Sequence, residues 1–134
     1  MSPTTRKPPS DALAEEPAAL IDQVTQGYVL LDEAVVALAD AGQIAGLAVL
    51  VGRRVDLAAD AVERALDAPS AGPATLLCRA AGLGTNSFSA VLRLRRRRLR
   101  AGGPNPAQAL STFLQTPIDL AQEVVGMMKA NEGR

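Results

Sequence analysis

Apolar residues recur three and four positions apart along most of this chain, and Gly, Pro or a short polar side chain interrupts each run. That spacing places apolar groups on one face of a helix. Asp11–Gln26 reads as a first helix broken by Pro17, with Ala18–Gln26 its firmer part because Pro suits a first turn. Leu20, Ile21 and Val24 line one side of it, and Gly27 stops it. Glu33–Ala41 follows, N-capped by Asp32 and ended by Gly42, with Val35, Leu38 and Ala39 as its stripe. Ile44–Val51 (IAGLAVLV) is apolar nearly all round. A strand is conceivable there, but its Ala and Gly content and its helical neighbours favour a buried helix.

Asp56 reads as the N-cap of Leu57–Leu66, which turns Asp60, Glu63, Arg64 and Asp67 to water. Beyond the turn-rich loop Asp67–Pro73 come Ala74–Ala81, stopped by Gly82 and Gly84, and then Ser87–Arg100, begun by Thr85 or Asn86 and ended by Gly102, Gly103 and Pro104. Pro106–Leu114 and Pro117–Ala130 complete the chain. The prediction is an all-α fold of about seven short helices, an irregular bundle or a fragment of a HEAT-like α-solenoid. It is a shape argument, because no strict internal repeat is visible. The expected core comprises Val35, Leu38, Leu47, Leu50, Leu57, Val62, Leu66, Leu76, Leu77, Leu83, Phe88 and Leu92. Residues 1–10, with three prolines and no large apolar group beyond Met1, read as a disordered tail, 11–131 as a single helical domain, and 132–134 as a second tail.

Composition narrows the chemistry. The apolar set is mostly Ala, Leu and Val, with two Phe, one Tyr and no Trp, so stability rests on many modest contacts. There is no His, which removes the usual proton shuttle and the commonest metal ligand, and Cys78 stands alone, so neither a Cys/His zinc site nor an intrachain disulfide is expected. No cofactor and no metal follow from this pattern. The start lacks an apolar signal region and no apolar run approaches a membrane span, so a cytoplasmic location is the default expectation.

Charge is balanced overall and segregated along the chain. Residues 10–67 hold eleven acids against three bases, and residues 68–134 three acids against nine bases. Such a chain either folds its acidic half onto its basic half or shows two faces of opposite sign. The second alternative draws attention to Arg93, Arg95, Arg96, Arg97, Arg98 and Arg100. On a helical wheel Phe88, Val91, Leu92 and Leu99 share a face, with Arg93, Arg97 and Arg100 opposite and Arg96 and Arg98 flanking. Arg95 points into the apolar stripe and must snorkel, find a carboxylate, or mark the end of burial. Four readings of this helix stand side by side: phosphate neutralisation on nucleic acid, an anionic lipid surface, an acidic protein surface, and a solvated face paired with this chain's own acids. Near-zero net charge and the scarcity of aromatic groups count against nucleic acid. An antiparallel packing of the acidic helix would bring Asp60, Glu63 or Asp67 to these arginines, and Leu94 would be available to a partner.

Other candidates carry less. Gly82-Leu83-Gly84-Thr85-Asn86-Ser87 superficially resembles a phosphate-cradling loop but lacks the Gly-Lys-Ser/Thr ending and a preceding strand. A helix stop followed by a helix start accounts for it. Cys78 reads as a small buried hydrophobe, and the neighbouring carboxylates Glu15/Glu16 and Asp32/Glu33 do not face one another on a helix.

Several of these segments together resemble a bacterial family. Ala41-Gly42, the apolar helix Ile44–Val51, Val55-Asp56-Leu57 leading into Val62-Glu63-Arg64-Ala65-Leu66, and Leu76-Leu77-Cys78-Arg79-Ala80-Ala81-Gly82-Leu83 before Phe88 are similar to the second half of domain of unknown function 2336. The similarity spans Leu38–Arg98 and implies an all-helical, repeat-like fold. Further helices stand upstream in the family's members, so it also implies a shortened member. It transfers no catalytic residue.

The sequence therefore points to a non-enzymatic helical protein-interaction module without catalytic, cofactor or metal residues. Arg93, Arg96, Arg97, Arg98 and Arg100 are its candidate partner-binding residues, and its partner is an acidic protein surface or a second copy. The alternative is a nucleic-acid-associated regulator that uses the basic helix 93–100.

Overall fold

A computed structural model describes residues 22–24, 26–27, 30–99 and 105–132. The expected tail at 1–10, the helix from Asp11 to Ile21, the breaker Gly102–Pro104 and Arg100 lie outside the described residues. Those described form seven helices and no strand: α1 Leu31–Asp40, α2 Ile44–Val55, α3 Ala59–Leu66, α4 Gly72–Ala80, α5 Thr85–Leu99, α6 Pro106–Gln115 and α7 Ile118–Glu132. Ahead of them Asp22–Val24 is a helical turn that closes at Gly27, whose N–H reaches the Val24 carbonyl. Ile44–Val51 is helical, as its Ala and Gly content predicted, and extends to Val55.

The helices are organised as pairs offset by forty residues. At the end of α1, Gly42 adopts φ +75°, and the N–H of Gln43 returns to the Leu38 carbonyl at 2.9 Å. At the end of α4, Gly82 adopts φ +76°, and the N–H of Leu83 returns to the Cys78 carbonyl at 3.0 Å. Only glycine takes this left-handed turn at little steric cost, so each Ala-Gly step ends one helix and aims the next. Burial follows the same offset. Ala34, Val35 and Leu38 correspond to Ala74, Thr75 and Cys78, and Leu47, Ala48, Leu50 and Val51 to Ser87, Phe88, Ala90 and Val91, all buried. Thus α1–α2 and α4–α5 share one turn geometry and seven buried positions, and α3 lies between them in the chain. Large and small side chains exchange places at several of those positions.

Packing makes α4 the hub. It touches α2, α3, α5, α6 and α7, while α1 lies along α5 and α2 along α3. The core runs continuously from Ala34 to Val125, with Phe88 and Phe113 stacked at its centre, rings 4.4 Å apart and 9° from parallel. Ten of the twelve expected core residues are buried; Leu76 and Leu92 are half-buried at its edge.

Two caps differ from expectation. Asp56 does not start α3: it ends α2 in the left-handed conformation, φ 62°, with the Leu57 N–H on the Gly52 carbonyl at 2.9 Å. Asp tolerates that geometry better than most residues, and α3 starts two residues later behind Ala58. Asp32 lies inside the first turn of α1, where Leu30 is the N-cap residue and Glu33 accepts the Leu30 N–H at 3.4 Å. Asp32 instead serves another helix. Its carboxylate accepts the Gly84 N–H at 2.8 Å and the Ser87 hydroxyl at 2.5 Å, at the start of α5.

Candidate functional site

The last carbonyls of a helix have no intrahelical donor and carry partial negative charge. The arginines of α5 are aimed at such carbonyls. Arg97 donates to the Ala39 carbonyl at 2.5 Å and the Asp40 carbonyl at 3.3 Å, closing the end of α1. Arg95, 5 % exposed, donates to the Leu66 carbonyl at 2.5 Å and the Ala68 carbonyl at 2.9 Å, closing the end of α3. Ion pairs flank both contacts. Arg93 reaches the Asp40 carboxylate at 3.1 Å, and Arg98 binds both oxygens of Asp67 at 2.8 Å. The Arg98 hydrogen bond holds the Asp67 carboxyl below its ordinary range against a smaller desolvation, while burial lowers Arg95 and the bond to Asp67 raises Arg98.

Elsewhere the same device recurs. Arg54 donates to the Ala81 carbonyl at 3.1 Å at the end of α4, and Arg79 to the Thr116 carbonyl at 2.7 Å at the end of α6. Four helix C-termini are thus each met by an arginine from another helix.

Of the candidate partner-binding residues, then, Arg93, Arg97 and Arg98 are bonded within the chain. Arg96 points to solvent with no bonded partner among the described residues, and Arg100 lies outside them. Asp67 is the carboxylate the sequence anticipated; Asp40 is an addition. Leu94, expected to be available to a partner, is 2 % exposed: the core-facing arc of α5 is centred on Val91 and Leu94 rather than on Leu92 and Leu99.

The remaining candidates have structural occupants. The donors that an anion would need in the Gly82–Ser87 loop, the Gly84 N–H and the Ser87 hydroxyl, are taken by Asp32. Cys78 is buried against the core, which pushes its thiol up to about 12 and keeps it protonated. The open groove between α1 and α5 contains Asp32, Glu33 and Arg93, each already bonded. Among the described residues no three Asp, Glu or Cys side chains converge as a metal site would require, and no helix is long and apolar enough to cross a membrane.

One surface escaped the sequence reading. At the elbow between α6 and α7, Leu114, Ile118 and Leu120 are 53 %, 41 % and 49 % exposed within seven residues, and Met127 on α7 is 57 % exposed. The elbow is held from beneath: Arg79 lies 5.2 Å over the Phe113 ring while binding the Thr116 carbonyl. α6 covers Ala109 and Phe113 and α7 covers Ala121 and Val125, so these exposed groups are additional to each helix's core face. That excess over one stripe was the available signal.

The described residues thus form an all-helical domain in which most of the arginines of α5 are bonded internally and an apolar elbow is exposed. The chain belongs to the bacterial family described as "Uncharacterised protein conserved in bacteria (DUF2336)", whose model matches residues 3–125. The match extends well beyond Leu38–Arg98 on both sides. No curated protein and no solved structure matches the chain.

Proposed function

We propose that this domain is a non-enzymatic protein-interaction module and that the α6–α7 elbow, rather than the arginine helix, carries the contact. The observation that supports this reading is a fixed elbow with three large aliphatic groups turned to solvent. Apolar side chains scattered singly on a surface need no explanation, but a contiguous patch of them marks an association surface, and we read the elbow as such a surface. The internal bonds of Arg93, Arg95, Arg97 and Arg98 support the same reading, because recruiting Arg95 or Arg97 to a partner would uncap α3 or α1 and recruiting Arg93 or Arg98 would break an ion pair.

Affinity capture from a bacterium that carries the protein tests the proposal, with three baits: wild type, Leu114→Gln/Leu120→Gln, and Arg96→Ala. A specific protein retained by wild type and Arg96→Ala and lost from the elbow variant supports it. The competing nucleic-acid reading has Arg96 as its one unbonded arginine on the described part of α5. Recovery of nucleic acid lost on Arg96→Ala, with no dependence on the elbow, would favour that reading and overturn this one.

A further inference from the structure

The outer face of α7 shows which kind of partner the elbow fits. Between Asn105 and Met128 the chain has two acids, Asp119 and Glu123, and no base. Both acids are exposed and unpaired among the described residues, whereas Lys129, at the far end of α7, is held by Asp56. On a helix Leu120 and Met127 lie seven residues apart on one line, with Glu123 beside them. The surface is therefore apolar along a line with an acidic margin, whereas most other charged side chains among the described residues are bonded within the chain.

Gly126 adds an independent observation. It sits inside α7, where glycine costs about 1 kcal/mol relative to alanine. Its φ is ordinary for a helix, and a Cβ added there meets nothing within 4 Å. Among the described residues nothing requires glycine at this position. The next turn carries Ala130, which is also exposed. A small residue on the outside of a helix allows another backbone to approach closely, as it does where helices cross.

We infer that the outer face of α7, continuous with the elbow, receives an amphipathic helix with basic residues along its edges. Its apolar side seats against Leu120 and Met127, its Lys or Arg side chains meet Glu123 and Asp119 beside that line, and Gly126 beyond them leaves room for its backbone. This rests on the reading of the elbow as an interaction surface and adds the chemistry of the partner. A second copy of this chain is a poorer occupant, because its own basic helix, α5, has its apolar face in the core and four of its arginines bonded.

Fluorescence anisotropy with two labelled peptides provides the test: an eighteen-residue Leu/Lys amphipathic helix, and the same sequence with Glu in place of Lys. The Leu/Lys peptide should bind saturably and the Leu/Glu peptide at least tenfold more weakly. Asp119→Asn/Glu123→Gln should weaken Leu/Lys binding by about two- to thirtyfold, the range for two exposed ion pairs. Gly126→Leu, whose Cβ meets nothing within 4 Å and whose helix propensity is higher, should melt no lower than wild type yet bind at least tenfold more weakly. Equal binding of both peptides, lost on Leu120→Gln, leaves the elbow as a surface and overturns the charge assignment. Binding indifferent to Leu120→Gln and Gly126→Leu overturns both readings. A concentration-dependent dimer in sedimentation that Leu120→Gln abolishes replaces the basic helix with a second copy.

Discussion

If the arginines of α5 serve helix ends rather than a partner, converting each to Met should yield a graded series of stabilities. Met preserves most of the apolar stem and removes the donors. Arg95 should be the most costly. Its two acceptors, the Leu66 and Ala68 carbonyls, terminate α3, and the residue is 5 % exposed. Hydrogen bonds to a charged group contribute about 1.5–3 kcal/mol, and a buried carbonyl stripped of its donor costs about 1–3 kcal/mol. Releasing the buried guanidinium from its own desolvation offsets part of that, leaving a net loss of about 2 kcal/mol. For a domain of this size about 1 kcal/mol moves Tm by about 3–4 °C, so Arg95→Met should melt about 6–8 °C below wild type. Arg97→Met, at the more open end of α1, should lose about 1 kcal/mol. The exposed pairs Arg98–Asp67 and Arg93–Asp40 should each contribute between about 0 and 1 kcal/mol. Arg96→Met should stay within about 0.5 kcal/mol of wild type. Differential scanning calorimetry of the five variants, with urea midpoints as a check, measures the order. An Arg95→Met domain melting within about 2 °C of wild type, or an Arg96→Met domain as destabilised as Arg95→Met, would refute the capping role.

Cys78 should resist thiol reagents in the folded domain and react at the rate of global opening, because burial keeps the thiol protonated with its pKa pushed up to about 12. Asp67 titrates lower folded than unfolded, so its contribution is present above the ordinary carboxylate value of 3.8 and lost as pH falls through the depressed folded value. Asp67→Asn should therefore flatten the acid limb of a Tm-versus-pH curve while leaving the shape near neutrality unchanged. The helical glycines should respond to Ala with opposite signs. Gly126→Ala enters open space and should stabilise by about 0.5–1 kcal/mol, whereas a Cβ at Gly52 would lie 2.6 Å from the Leu57 carbonyl oxygen and should lower Tm clearly.

The elements were legible because each carries its own local signal. Gly42 and Gly82 mark helix ends whether or not anything packs on them, and Val35, Leu38, Val62 and Leu66 repeat at a spacing that only a helix can use. Asp56 was misread because a short acid after a helix and before another can serve either end. The choice turned on α2 continuing through Arg53 and Arg54, whose exposed stems gave no apolar cue. In the C-terminal half of α5, residues 92–99, every position is Leu or Arg, so the wheel did not define one core arc. The arc was fixed by α1 and α6 on either side, which selected Leu94 over Leu99. The arginine contacts were the least legible feature. Their partners are backbone carbonyls 27 to 58 residues away, and a carbonyl has no side-chain identity that a sequence could advertise.

The segregation of charge has a physical reason in those same contacts. Ala, Val and Leu side chains bury little area apiece, and several of the helices they build are only eight to ten residues long. A helix that short has a large fraction of its carbonyls in its last turn, where intrahelical donors are missing. Arginine suits the task because it offers five donors in a planar fork and stays charged even when burial lowers its pKa. One helix dense in arginine, laid across the ends of α1 and α3, closes two such termini and pairs with an acid beside each, Asp40 and Asp67. Asp40 and Asp67 therefore stand at the helix ends that are closed, and Arg93, Arg95, Arg97 and Arg98 on the helix that closes them. These contacts account for four arginines and two acids without an external ligand. The base-free stretch from α6 into α7 is different, because there apolar and acidic groups face solvent together. The search for a partner should begin there.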